Sequence, residues 1–134
     1  MNVGRPFNPT SSPSQNTAFG FGVLGKYAPT FWTHDMNTGF GYYALYNLTR
    51  GGSNTALGNA ALYNLTTGSY NAGYGSDVFP TLTTGSNNTG SGGGAGRSLS
   101  TGSDNTMIGL YAGNGVTTGS NNIFLGSNNT TNIN

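Results

Sequence analysis

Apolar and polar positions recur along this chain with a fixed period. Counted from Asn37, the chain divides into blocks of 17 that each open on Asn and carry Gly four positions later. The opening asparagines are Asn37, Asn54, Asn71, Asn88, Asn105 and Asn122. The glycines are Gly41, Gly58, Gly75, Gly92, Gly109 and Gly126. With a second Gly at position 15 of every complete block, three columns stay in phase, which indicates a repeat architecture.

Two columns of the repeat carry most of its large apolar residues. Position 4 reads Phe40, Leu57, Tyr74, Ser91, Ile108 and Leu125. Position 12 reads Leu48, Leu65, Leu82, Leu99 and Val116. We expect both columns to point inward, each on a short strand, with Gly at the corners between strands. The sequence therefore predicts an all-β fold, a parallel β-solenoid or β-roll of about six to seven 17-residue coils. Stacked at about 4.8 Å per coil, the repeats span roughly 30 Å.

The asparagine column has its own physical reason. A side-chain amide can hydrogen-bond to an identical amide one coil away, as in stacked β-structures. We therefore expect these asparagines to form a ladder along the stack.

The period divides the chain into three segments. Residues 1–15, which hold three prolines, form an extended or attachment segment. Residues 16–36 form an irregular capping coil, because after the opening Asn16-Thr17-Ala18-Phe19-Gly20 the next Asn in phase comes four positions later than the period predicts. Residues 37–134 form the solenoid, and the glycines that replace apolar residues in the fourth block predict a weak point there.

Composition and charge exclude several classes of protein. Charged residues make up 5% of the chain, and the net charge is +1. Nucleic-acid binding depends on clustered Lys and Arg, so we expect no nucleic acid, and no apolar run is long enough for membrane insertion. The chain has no Cys and therefore no disulfide. Its first residues lack a secretory signal pattern, so we expect it not to use the general secretory route unaided.

Residues with catalytic or metal-binding chemistry are few. His34 and Asp35 adjoin in the irregular segment, whereas Asp77 and Asp104 stand alone. Acid–base catalysis and metal binding both need several such groups together. The sequence therefore predicts no enzyme activity, no catalytic or metal site and no cofactor, and the lack of a recurring Asp argues against calcium-binding coils.

Three surface features leave alternatives open. The threonines at position 14 could bind ice, although the neighbouring position 13 is also Thr or Ser and points the opposite way. Asn-x-Ser/Thr sequons fit glycan attachment in a secreted protein, and they also follow from a repeat rich in Asn and Thr. The aromatic residues Trp32, Tyr43 and Tyr46 could stack on sugar rings of a host-surface glycan. The same aromatics could equally pack between subunits, and we favour this interpretation, which predicts a trimer.

Two openings carry a family resemblance. Asn54-Thr55-Ala56-Leu57-Gly58 and Asn105-Thr106-Met107-Ile108-Gly109 resemble the repeats of trimeric autotransporter adhesin heads. The longer phrase that ends Leu65-Thr66-Thr67-Gly68-Ser69 is similar to repeats of bacteriophage tail fibres. The resemblance implies a homotrimeric fibre, although the period of 17 exceeds that of typical adhesin-head coils.

Together these observations predict a structural fibre module of a phage virion, a tail fibre or appendage, in contact with other virion proteins and with a further role in host-surface adhesion. The alternative is a secreted cell-surface adhesin or a glycosylated extracellular filament subunit. A third interpretation is an ice-binding solenoid.

Overall fold

The computed structural model describes residues 15–26 and 36–130. Its seven strands are three residues long and form one parallel sheet in chain order. They are β1 (Thr17–Phe19), β2 (Thr38–Phe40), β3 (Thr55–Leu57), β4 (Ala72–Tyr74), β5 (Thr89–Ser91), β6 (Thr106–Ile108) and β7 (Ile123–Leu125). No helix occurs in these ranges, so the predicted all-β parallel solenoid is confirmed. The predictions for residues 1–14, for Trp32 and for His34 and Asp35 lie outside the described residues.

The register of the sheet follows the period of the sequence. Thr38 pairs with Thr55, and Thr55 pairs with Ala72, so each partner lies one full period further along the chain. At the first step Thr17 pairs with Thr38, so the longer first coil keeps the same pairing. Every strand therefore lies above the same three positions of its neighbour, namely positions 2, 3 and 4 counted from the opening Asn.

The prediction that position 4 points inward is wrong. Phe40, Leu57 and Tyr74 on this column are exposed, whereas Leu48 at position 12 is buried as expected. Side chains alternate between the two faces of a strand, so an inward position 3 sends positions 2 and 4 outward. Position 3 is occupied by small residues in most coils, such as Ala56, which is fully buried.

The interior contains two further apolar columns, at positions 8 and 9. Ala61 and Leu62 are both fully buried although they are neighbours in the chain. Leu62 adopts a left-handed backbone conformation with φ of 54°, which breaks the alternation that an extended segment would impose. Two consecutive side chains can therefore face the same core.

The expected second strand in each coil is not formed, and position 13 makes a corner instead. The backbone N–H groups of Thr49 and Arg50 both donate to the carbonyl oxygen of Thr66, at 2.9 Å each. Because two consecutive N–H groups converge on one carbonyl, this segment turns rather than running straight. The coils are thus joined here by hydrogen bonds without a strand.

The glycine-rich fourth coil is filled from its neighbours. A Cβ at Gly90 or Gly96 would overlap the ring of Phe79, which belongs to the preceding coil. A Cβ at Gly96 would also lie 3.0 Å from the Sδ of Met107, which belongs to the following coil. Phe79 and Met107 are fully buried, so large side chains occupy the space that the glycines leave. This matched packing offsets the missing apolar residues that suggested a weak point.

Two adjacent alanines give a test of this backbone. Ala60 has φ of 52°, a conformation that costs a non-glycine residue about 1–2 kcal/mol. We expect Ala60→Gly to raise the free energy of unfolding by about 0.5–1 kcal/mol. Ala61→Gly, the matched control, should lower it by about 1 kcal/mol, because this buried methyl contributes to the core and its backbone is not left-handed. Denaturant unfolding of both variants measures the difference, and equal shifts would contradict the conformational argument.

Candidate functional site

The opening asparagines form a continuous ladder inside the solenoid. The Nδ2 of Asn54 donates to the Oδ1 of Asn37 at 3.0 Å and to the carbonyl oxygen of Gly68 at 2.9 Å. The backbone N–H of Asn54 donates to the same Oδ1 of Asn37, also at 3.0 Å. Each side-chain amide in the middle of the ladder thus uses both N–H groups and accepts two hydrogen bonds on its oxygen.

The same pattern repeats along the stack. Asn71, Asn88 and Asn105 each donate to the asparagine of the preceding coil and to a glycine carbonyl of their own coil. The ladder asparagines from Asn37 to Asn105 are at most 1% exposed. Within the described ranges, no buried side-chain nitrogen or oxygen lacks a hydrogen-bond partner. The predicted amide ladder is therefore present, and it extends beyond amide–amide contacts to the backbone.

The glycines at position 15 belong to this ladder. Each supplies the carbonyl that accepts from an asparagine, as Gly85 does for Asn71 at 2.8 Å. A Cβ on Gly85 would overlap the carbonyl oxygen of Gly102 in the next coil. This close approach of neighbouring coils explains why only Gly fits at this position.

Hydroxyl rows run beside the asparagine ladder. The Oγ of Ser86 accepts a hydrogen bond from the backbone N–H of Ser69 at 3.1 Å. The Oγ1 of Thr83, at position 13, donates to the carbonyl of Ser100 at 3.0 Å. Thr84, at position 14, is exposed. The hydroxyls at position 13 thus help to join coils, and position 14 presents an exposed row of threonines that begins after Arg50.

A cluster of aromatic rings covers the first coils. The rings of Tyr46 and Tyr63 are stacked at 5.5 Å and 10°, and Tyr43 packs edge-on against Tyr46 with centroids 4.9 Å apart. Phe21 and Tyr42 are stacked at 5.7 Å and 16°. The stacked rings therefore associate along the axis, each with the equivalent ring of the next coil.

This packing occupies the ring faces that a sugar would need. The Nζ of Lys26 lies 5.4 Å from the ring centroid of Tyr46, and Tyr63 stacks on the same ring. A Cβ on Gly22 would overlap the ring of Tyr43, which shows that this ring lies against the backbone of the preceding coil. Tyr43 and Tyr46 are brought together as a packing cluster, and this geometry favours a structural use of these rings over stacking on a glycan.

Charged groups are sparse on the described surface. Asp77 and Asp104 occupy different positions of different coils. Residues 15–26 and 36–130 contain no group of three or more His, Cys, Asp or Glu side chains that could hold a metal ion. In the same ranges, no helix is long and apolar enough to cross a membrane.

Comparison with protein-family models, with curated proteins and with solved structures finds no match to this chain. Its functional interpretation therefore rests on its own residues and their geometry.

The amide ladder gives the second prediction. Asn71→Ala would leave the carbonyl of Gly85 without its donor, and the backbone N–H and one Nδ2 hydrogen of Asn88 without their acceptor, whereas the Oδ1 of Asn54 would keep the backbone N–H of residue 71. Each buried unsatisfied group costs about 1–3 kcal/mol, so we expect a loss of about 3 kcal/mol or more. Thermal or denaturant unfolding measures it.

The matched control is Asn114→Ala. Asn114 is exposed at position 10, outside the ladder. Such a surface change should stay within about 0.5 kcal/mol. Equal losses for Asn71→Ala and Asn114→Ala would show that the ladder does not stabilise the fold.

The aromatic cluster gives a prediction on pH. Burial among the rings raises the pKa of Tyr43 above its usual value of about 10, and a hydrogen bond with Tyr42 adds to the rise. The folded chain holds this proton more tightly than the unfolded chain. The contribution of Tyr43 to the free energy of unfolding is therefore fully present below about pH 10 and is lost as the pH rises further. Absorbance at 295 nm should show a late tyrosine titration that Tyr43→Phe removes. A titration curve with the same late component in Tyr43→Phe would contradict this assignment.

Proposed function

We propose that this chain is a structural fibre module of a bacteriophage virion, a tail fibre or appendage, that works as a homotrimer with other fibre proteins. Its role is mechanical. The chain forms part of the length of a rod-shaped fibre, and the fibre exposes the surface of this rod to its surroundings, including a host cell. The observation that carries the proposal is the buried amide ladder. It continues through every coil from Asn37 to Asn122.

The ladder supports a mechanical role because it distributes load. Neighbouring coils are joined by the sheet, by the corner hydrogen bonds and by the amides, so a pull along the axis acts on many bonds at once. Coils of this kind contact only their neighbours, and rods of any length can be built from them. A rod of uniform cross-section is what a fibre requires.

The hydrogen-bonding inventory supports the same interpretation. The described side chains at positions 1, 13 and 16 use their amides and hydroxyls to join coils. The polar groups of these columns therefore form hydrogen bonds between neighbouring coils. The repeats quoted above resemble those of phage tail fibres. This resemblance supports the proposal that the chain is part of a virion.

Immunogold labelling tests the assignment. Antibodies against the purified chain would be applied to phage particles and to the surface of cells that carry the gene. We expect gold on fibres or appendages of the particles. Gold confined to the cell surface would overturn the virion assignment in favour of an adhesin or extracellular filament.

A further inference from the structure

On the outer surface of the sheet, position 4 carries a large apolar or aromatic side chain in every described coil except the fourth, which has Ser91 there. Of twelve large hydrophobic side chains that are exposed in the described part, ten lie at positions 2, 4 and 6. They are Phe19, Phe21, Phe40, Tyr42, Leu57, Tyr74, Ile108, Leu110, Ile123 and Leu125. We call these three columns the outer face. Along the chain, column 4 lies between columns 2 and 6, and column 6 lies just beyond the strands.

The outer face carries no charge in the described coils. The described charged residues lie in other columns: Lys26, Arg50, Asp77, Arg97 and Asp104. On a sheet face that is exposed to water, the side chains are normally polar. An exposed apolar surface of this extent instead marks an interaction site. Because the outer face has no charged side chain, it cannot form ion pairs with a charged ligand. Its chemistry instead matches a second apolar surface.

The area of the outer face matches one side of a protein interface. Its ten large side chains are 37–67% exposed. Aromatic side chains present about 150–250 Å² each when fully accessible, so this set exposes on the order of 800 Å². A standard interface buries about 800 Å² per partner. The outer face is therefore large enough to hold a stable complex by itself.

The sizes of the residues in columns 2 and 6 point to the occupant. In the coils of Thr17, Thr38 and Thr106, a small residue at position 2 accompanies a large one at position 6, namely Phe21, Tyr42 and Leu110. In the last coil the order reverses.

The last coil pairs Ile123 at position 2 with Ser127 at position 6. The remaining coils are small at both positions or carry Asn at position 6, so no coil is large at both. If copies surround an axis parallel to the stack, column 2 of one meets column 6 of the next at the same height. This arrangement never places two large side chains against each other.

We propose that the outer face is the interface between copies of this chain, which pack side by side, parallel and with equal coils at equal height. This inference rests on the proposed fibre function and specifies its assembly. Position 4 residues then lie nearest to their counterparts in the partner copy.

Charge insertion tests the interface. Light scattering of the whole chain should give a mass that is a multiple of the 13.7 kDa chain. We expect Leu57→Lys, on column 4, to reduce the mass to a single copy. The control Thr84→Lys, on the exposed row at position 14, should keep the multiple. A single-copy mass for the unaltered chain, or equal masses for both variants, would overturn the proposal.

Single cysteines test the register independently, because the chain has no Cys. Ser91→Cys places a thiol on column 4 between the small residues Thr89 and Gly93. A disulfide requires Cα atoms within about 7 Å, which parallel copies in register provide at Ser91. Antiparallel copies that overlap along all seven coils would instead place Ser91 opposite Leu57. Mild oxidation should yield a covalent pair, whereas Thr84→Cys should not. Absence of the pair from Ser91→Cys would overturn the parallel register.

The two proposals fail separately. A single-copy mass with gold on phage fibres would remove the interface and the homotrimer but leave the virion assignment. The opposite result is also possible to recognise. If the unaltered chain has a multiple of the single-copy mass, Leu57→Lys reduces it to one copy and gold labels cells only, the interface stands and the virion assignment fails.

Discussion

The buried asparagine ladder is the constraint on which the remaining structure depends. An amide inside a protein needs partners for two N–H groups and one oxygen, and each position in the stack supplies them only if the next asparagine lies directly above. The first coil shows that the ladder, and not the coil length, sets the register. The backbone N–H of Asn37 donates to the Oδ1 of Asn16 at 2.8 Å, although this coil is longer than the others. The contact between successive asparagines is therefore kept where the coil length changes.

The ladder also determines which side chains form the core. Because the asparagine at position 1 points inward, the alternation along the strand directs position 3 inward and positions 2 and 4 outward. Position 3 lies in a narrow space and accepts small residues in most coils. Where a larger residue enters, as Met107 does, Gly96 of the preceding coil and Gly113 of the same coil leave room for it. The interior is thus packed by pairs of residues from successive coils rather than by one repeated side chain.

This dependence explains how much the sequence could predict. The period, the parallel stacking and the amide contacts follow directly from the regular spacing of Asn37, Asn54 and their equivalents. The orientation of position 4 does not, because its large apolar residues look like core residues and the small residues at position 3 do not. The sequence does not predict the buried pair at positions 8 and 9 either. This pair depends on the left-handed conformation of residues such as Leu62, and a leucine in the sequence does not indicate that conformation.

The outward position of column 4 has a consequence for solubility. With 5% charged residues and a net charge of +1, repulsion between copies is weak, and an exposed apolar face would favour association without limit. Association stops only where the contact closes on itself, either as a symmetric pair or as a ring around an axis. In the proposed side-by-side arrangement, contacts between columns 2 and 6 form such a ring, and column 4 is covered at its centre. Growth then remains available only along the stack, which is the direction in which a fibre extends.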